Sequence, residues 1–211
     1  MLLTALVAWG VTQGEGFAEL EVVAYGAQRF DLATGFTELP DGGEVVERGT
    51  GVRLAAPWLR YAEGDLLEAE DARVEGDFGH IDAPRLTLDI AGRTLLAQGG
   101  VWLAWADGAV AAERLRFEAG PGWVWVEGSV RGESPTLEAA VVGYLVDTGV
   151  VVLLPPYRYV DGPLVLSADG DGAPLQLTPD RDAEGALLGF DASTTLRDDV
   201  REGLHARREG E

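Results

Sequence analysis

Two histidines, an abundance of carboxylates and one Asp-Gly-Asp-Gly run are the parts of this chain whose side chains could do chemistry. His80 falls in an expected turn and His205 in an expected tail, and neither has a serine or acid at the spacing that makes a general base. Asp169-Gly170-Asp171-Gly172 begins like a calcium loop, where alternate carboxylates converge on a hard cation. A complete loop needs glutamate at its twelfth position and helices on both flanks. Counted from Asp169 that position is Asp180, and the flanks read as strand, so a plain turn is the better reading. Paired carboxylates also hydrolyse glycosides, but among 36 acidic residues any chosen pair is arbitrary. Cysteine is absent, which removes disulfides, thiolate metal sites and thiol nucleophiles. The expectation is a protein that is not an enzyme and holds no cofactor or metal.

Positioning falls to a repeated element. An alanine, apolar residues three and five places on, and then a turn glycine recur five times. The units are Ala27 (Phe30, Leu32, Gly35), Ala56 (Leu59, Tyr61, Gly64), Ala83 (Leu86, Leu88, Gly92), Ala112 (Leu115, Phe117, Gly120) and Ala139 (Val142, Tyr144, Gly149). Such a recurrence sets the architecture before any motif is weighed. Within the units the period is two: Leu86, Leu88 and Ile90 share one face, and Arg85, Thr87 and Asp89 the other. Gly64-Asp65, Ala91-Gly92, Asp107-Gly108 and Gly120-Pro121-Gly122 supply hairpin turns. Return strands are expected at Leu66 to Val74, Thr94 to Ala104, Trp123 to Val130 and Val150 to Leu154. Trp102, Trp123 and Trp125 then point away from the apolar face, toward a second layer, a subunit or lipid headgroups.

Composition bounds the partners. The 211 residues carry 36 acidic and 16 basic side chains, the latter all arginine, for a net charge of −20. Phosphate backbones are repelled, so nucleic acid is excluded as a partner. Met1 to Val11 is an apolar run of signal-peptide length, too short to span a bilayer by the ~20-residue criterion. Residues 1–16 are therefore read as a weak export signal, which sends the protein to the periplasm or cell envelope, with a buried N-terminal strand as the alternative.

The units Ala83 to Val101 (APRLTLDIAGRTLLAQGGV) and Ala112 to Val130 (AERLRFEAGPGWVWVEGSV) resemble the repeat of the OstA-like family. That family comprises periplasmic lipopolysaccharide-transport proteins of the LptA and LptC type and the N-terminal domain of LptD. The resemblance covers roughly Ala27 to Leu154. It implies an all-β, antiparallel β-jellyroll, or β-taco, of stacked hairpins whose inner faces form an open apolar trough for acyl chains. Leu59, Tyr61, Leu86, Leu88, Leu115, Phe117, Val142 and Tyr144 would line it. Partners implied are lipopolysaccharide or another envelope glycolipid, other OstA-like proteins through edge-strand pairing, an ABC transporter and an outer-membrane barrel.

Other readings stay open. A structural or adhesive envelope repeat without cargo needs the same inward column, and a polysaccharide-acting parallel β-helix has coils of similar length. For a phosphorylated cargo, Arg60, Arg85, Arg114, Arg116 and Arg131 would have to gather along a rim; otherwise the cargo is neutral or differently decorated. The domain is expected over residues 17–179, with Pro155-Pro156 interrupting the fifth return strand. Residues 180–211 form a charged tail, with a Thr195/Asp198 capping box opening a short helix through Leu196, Val200 and Leu204.

Overall fold

The structure is a computed structural model that describes residues 20–209, apart from residues 50, 77–78, 106–107, 121, 134–135 and 185–186. The expected export signal, and Asp107 and Pro121 of the expected turns, lie outside the described residues. Seven long strands form the body: β7 (Leu66–Gly76), β8 (Gly79–Asp89), β9 (Thr94–Trp105), β10 (Gly108–Glu118), β11 (Trp123–Gly132), β12 (Thr136–Leu145) and β13 (Val150–Asp161). Each pairs antiparallel with the next, as the period-two alternation and glycine turns require.

Every one of these strands is creased near its middle, and the repeated motif is the crease. In a straight strand, residues three apart face opposite ways. Yet Ala83 and Leu86, Ala112 and Leu115, and Ala139 and Val142 are all buried in one cluster. One residue added at the bend reconciles the two: Pro84, Glu113 and Ala140 are the steps, as Asp71 is in β7. The strands between them step by two residues, Gly99-Gly100, Gly128-Ser129 and Pro155-Pro156. Register shifts between β8 and β13 all fall on this line. Asp71, Gly99, Gly100, Gly128 and Ser129 take positive φ there, the left-handed conformation that bulges use. Pro155-Pro156 therefore does not interrupt the return strand: β13 runs through it at the crease.

The aligned creases fold one sheet into two arms. Toward the N-terminus the strands separate at the crease. β3 (Thr37–Leu39) and β6 (Trp58–Ala62) continue arm 1, while β1 (Leu20–Ala24), β4 (Gly43–Glu47) and β5 (Arg53–Ala56) continue arm 2. Pro57 divides β5 from β6, and Gly42 passes so close to the Ala56 carbonyl that a Cβ there would lie 2.4 Å from its oxygen. Toward the C-terminus β14 (Leu164–Ala168) extends arm 2, and β15 (Leu175–Arg181) and β16 (Leu187–Ser193) extend arm 1. The charged tail expected from residue 180 thus opens with sheet. The Asp169–Gly172 segment carries the chain from arm 2 to arm 1, closed by a Gly172 N–H to Asp169 C=O bond of 2.9 Å.

Among the described residues, strands pair only within an arm, leaving free edges and no closed barrel. The first unit does not join the wall. Ala27 and Phe30 are exposed, Leu32 is 90% exposed, and β2 (Arg29–Phe30) pairs only with β3. Its spacing matches, but β3 pairs with no more of it than Arg29 and Phe30, and its apolar side chains stay in solvent.

Candidate functional site

The interior between the arms is the candidate site. On arm 1, Leu59, Leu86, Leu88, Leu115, Phe117, Val142 and Tyr144 are 0–8% exposed, and Tyr61 is half-buried against them. The eight residues expected to line a trough therefore occupy one wall. Facing them is a second wall on arm 2 that the repeat motif does not name: Val74, Ile81, Leu103, Val110, Val130, Leu137 and Tyr159. The signal for these residues is the same period-two alternation, read in the other half of each strand. Along the crease run Ala56, Ala69, Ala72, Ala83, Ala97, Ala112 and Ala139, all buried. Val101, Val130 and Tyr157 occupy the same line on the strands between, so small and larger buried side chains alternate along the crease.

Side chains alone hold the arms together across the interior. Backbone bonds run along the arms instead, and even the turns of arm 1 are stitched to one another: Ile90 N–H to Asp65 C=O at 2.8 Å, Ala119 to Arg93 at 3.0 Å and Val146 to Gly122 at 2.9 Å.

The arginines do not form a rim. Arg60, Arg85, Arg114 and Arg116 project from the outer face of arm 1 and Arg131 from that of arm 2, opposite in parity to the buried columns. Three are engaged there, Arg60 with Glu68, Arg114 with Glu127 and Arg116 with Glu118. Three interior phenols are shifted: burial pushes Tyr157 up and Tyr144 and Tyr159 up to about 12, and the Asp161 carboxylate adds to the effect at Tyr159.

Two of the three outward tryptophans meet the chain's own C-terminus, while Trp102 on β9 is 43% exposed. Trp123 and Trp125 stack with ring centres 4.7 Å apart on the outer face of arm 1. Helix α1 (Asp198–Glu209) lies over them, burying Val200 fully among Trp123, Trp125, Leu145, Val150 and Val152, with Leu196 and Leu204 at the margin. Two glycines permit the fit. A Cβ on Gly143 would sit 2.3 Å from Trp125 Cζ3, and one on Gly203 would sit 2.4 Å from Trp123 Nε1. Arg207 covers Trp125 with its guanidinium 5.4 Å from the ring centre and bonds Glu127 Oε1 through Nε at 3.0 Å and Nη2 at 2.7 Å. Burial pushes the Glu127 carboxyl up, but the bonds from Arg207 and Arg114 outweigh it and hold the group below its ordinary value. The first helical bond runs from Arg201 N–H to Arg197 C=O, and the Arg197 N–H itself donates to the buried Gln176 side chain at 2.9 Å. The helix thus opens two residues beyond the Thr195 expected to cap it.

His80 lies on β8, 3.5 Å from Asp82, and His205 lies on α1. Among the described residues no group of three or more His, Asp or Glu side chains could hold a metal ion. No protein-family model matches the chain, and no curated protein matches it. The class is defined by the fold: an open, two-armed antiparallel β-taco with an apolar interior.

Proposed function

We propose that this protein is a lipid carrier or bridge component of the periplasm or cell envelope. It holds acyl chains of lipopolysaccharide or a related glycolipid between its arms on the way to the outer membrane. The observation that carries this reading is an apolar interior between two walls that, among the described residues, no strand pairing joins. Parting the arms breaks no ladder bond. The walls exchange contact with each other for contact with the guest, so the net gain is removal of the acyl chain from water, about 0.8 kcal/mol per methylene. Among the described residues β1 and β16 end the stack, and such edge strands offer backbone groups to other OstA-like proteins, and through them to a transporter and an outer-membrane barrel.

Near-complete burial of both walls favours a second reading, a structural or adhesive envelope protein whose core admits nothing. A photo-crosslinking residue in place of Leu88 or Phe117 separates the two. Carrier function predicts adducts with envelope lipid in cells, and crosslinks confined to protein would defeat it.

A further inference from the structure

The interior is not uniform along the stack. Every buried inward residue of β7 to β11 is glycine, alanine, valine, isoleucine, leucine or phenylalanine, whereas β12 and β13 introduce Tyr144, Tyr157 and Tyr159. Tyr144 enters from arm 1 and Tyr159 from arm 2, so a phenol reaches the C-terminal part of the interior from each wall. A charged group accompanies each. The Tyr159 hydroxyl donates to Asp161 Oδ2 at 3.4 Å, a long bond that a better-placed acceptor would displace. Arg181 reaches the turn after β12, where its Nη2 lies 3.6 Å from the position of a Cβ on Gly149, and its charge acts on Tyr144.

We propose that the interior binds one acyl chain lengthwise, its tail toward β7 and the carbonyl of a neutral ester or amide at the Tyr144 and Tyr159 hydroxyls. This rests on the carrier reading, adds a direction to it, and narrows its cargo from lipopolysaccharide to a glycolipid without an anionic headgroup. Length agrees: β7 to β11 are four strand intervals of ~4.8 Å, about 19 Å, and one leaflet's acyl chains fill about 15 Å of a bilayer. Charge agrees as well. The turns flanking β12 carry Glu133 and Asp147, two carboxylates against the one guanidinium of Arg181, on a chain of net charge −20, which disfavours an anionic headgroup. Both phenols stay protonated at neutral pH and act as donors.

The test measures displacement of a pyrene-labelled alkane from the full chain by monopalmitoylglycerol, palmitate and hexadecane. Wild type should prefer monopalmitoylglycerol to palmitate. The Tyr144→Phe/Tyr159→Phe double variant, checked for an unchanged melt, should bind monopalmitoylglycerol more weakly by roughly five-fold per lost hydroxyl, with hexadecane unaffected. If the double variant does not fold, the two single substitutions give the same reading. Equal binding of monopalmitoylglycerol by wild type and variant, or a preference for palmitate, overturns the polar end while leaving a carrier. Failure of wild type to bind even the pyrene alkane overturns the carrier reading itself.

Discussion

Replacing Gly143 with alanine tests whether α1 and the outer tryptophans form one packed unit. The new Cβ would lie 2.3 Å from Trp125 Cζ3, about 1.2 Å inside the ~3.5 Å of a comfortable carbon contact. Gly143 has an ordinary strand φ, so the penalty is steric rather than conformational. Trp125 has nowhere to retreat: it is 2% exposed, stacked on Trp123 and covered by Arg207 of α1. Overpacking of this kind costs ~1–3 kcal/mol, and the smaller unfolded-state entropy of alanine returns ~0.4–1 kcal/mol. A net loss of about 1–2 kcal/mol follows, a fall in Tm of roughly 2–8 °C at ~2–4 °C per kcal/mol for a chain of this size. In a chain ending at Arg197 the ring can swing outward, and the same substitution should cost almost nothing. Urea melts followed by circular dichroism, arranged as a double-mutant cycle, give the coupling directly. An equal cost in both backgrounds would refute the account of α1 as the lid over Trp125.

Three further outcomes are expected. Ala112→Leu, placing extra methylenes at the crease where the walls converge, should destabilise by about 1–3 kcal/mol in the same melts; a neutral result would mean that the crease has spare room. Glu127→Gln should remove acid sensitivity. The folded carboxyl sits below its unfolded value, so its stabilisation is present above ~4.3 and is lost as pH falls through the folded value; comparing melts at neutral and acid pH checks that the variant's deficit shrinks on acidification. Tyr144 and Tyr159, pushed up to about 12, bind protons more tightly folded than unfolded. Stability should therefore decline from ~10 upward, and Tyr144→Phe/Tyr159→Phe should flatten that decline and remove the highest phase of an ultraviolet phenolate titration.

The sequence made the strands legible because alternation is local: Leu86, Leu88 and Ile90 declare their face within five residues. It also held the crease, in the odd separation between Ala83 and Leu86, which no straight strand can place on one side. Reading that separation as a bend requires knowing that both residues are buried, and burial is settled by the opposite arm. For the same reason the motif exposed one wall and hid the other, since Val74, Ile81 and Leu103 alternate without recurring at its spacing. The Ala27 unit shows the converse: the spacing is present, but β3 pairs with no more of it than Arg29 and Phe30, and Leu32 stays in solvent. Trp123 and Trp125 were visible as an outward apolar pair, yet nothing local could assign them to Val200, whose place depends on β15 and β16 returning the chain to arm 1.

Where the molecule is stiff and where it can yield follow from the direction of its hydrogen bonds. Ladders and turn-to-turn bonds run along each arm from strand to strand, so sliding or separating neighbouring strands breaks backbone bonds. Rotation of one arm against the other breaks none, and its axis is the crease, where Gly99, Gly100 and Gly128 relieve the chain of side-chain restriction. Helix α1 adds to the asymmetry by packing on the outer face of arm 1 at β11 to β13, against strands that belong to both arms. Among the described contacts it grips the arm 1 halves of those strands, anchored through Arg207 to Glu127, one residue from the crease. The helix therefore stiffens one wall without tying it to the other, and the opening motion that the carrier reading requires remains the motion that the backbone resists least.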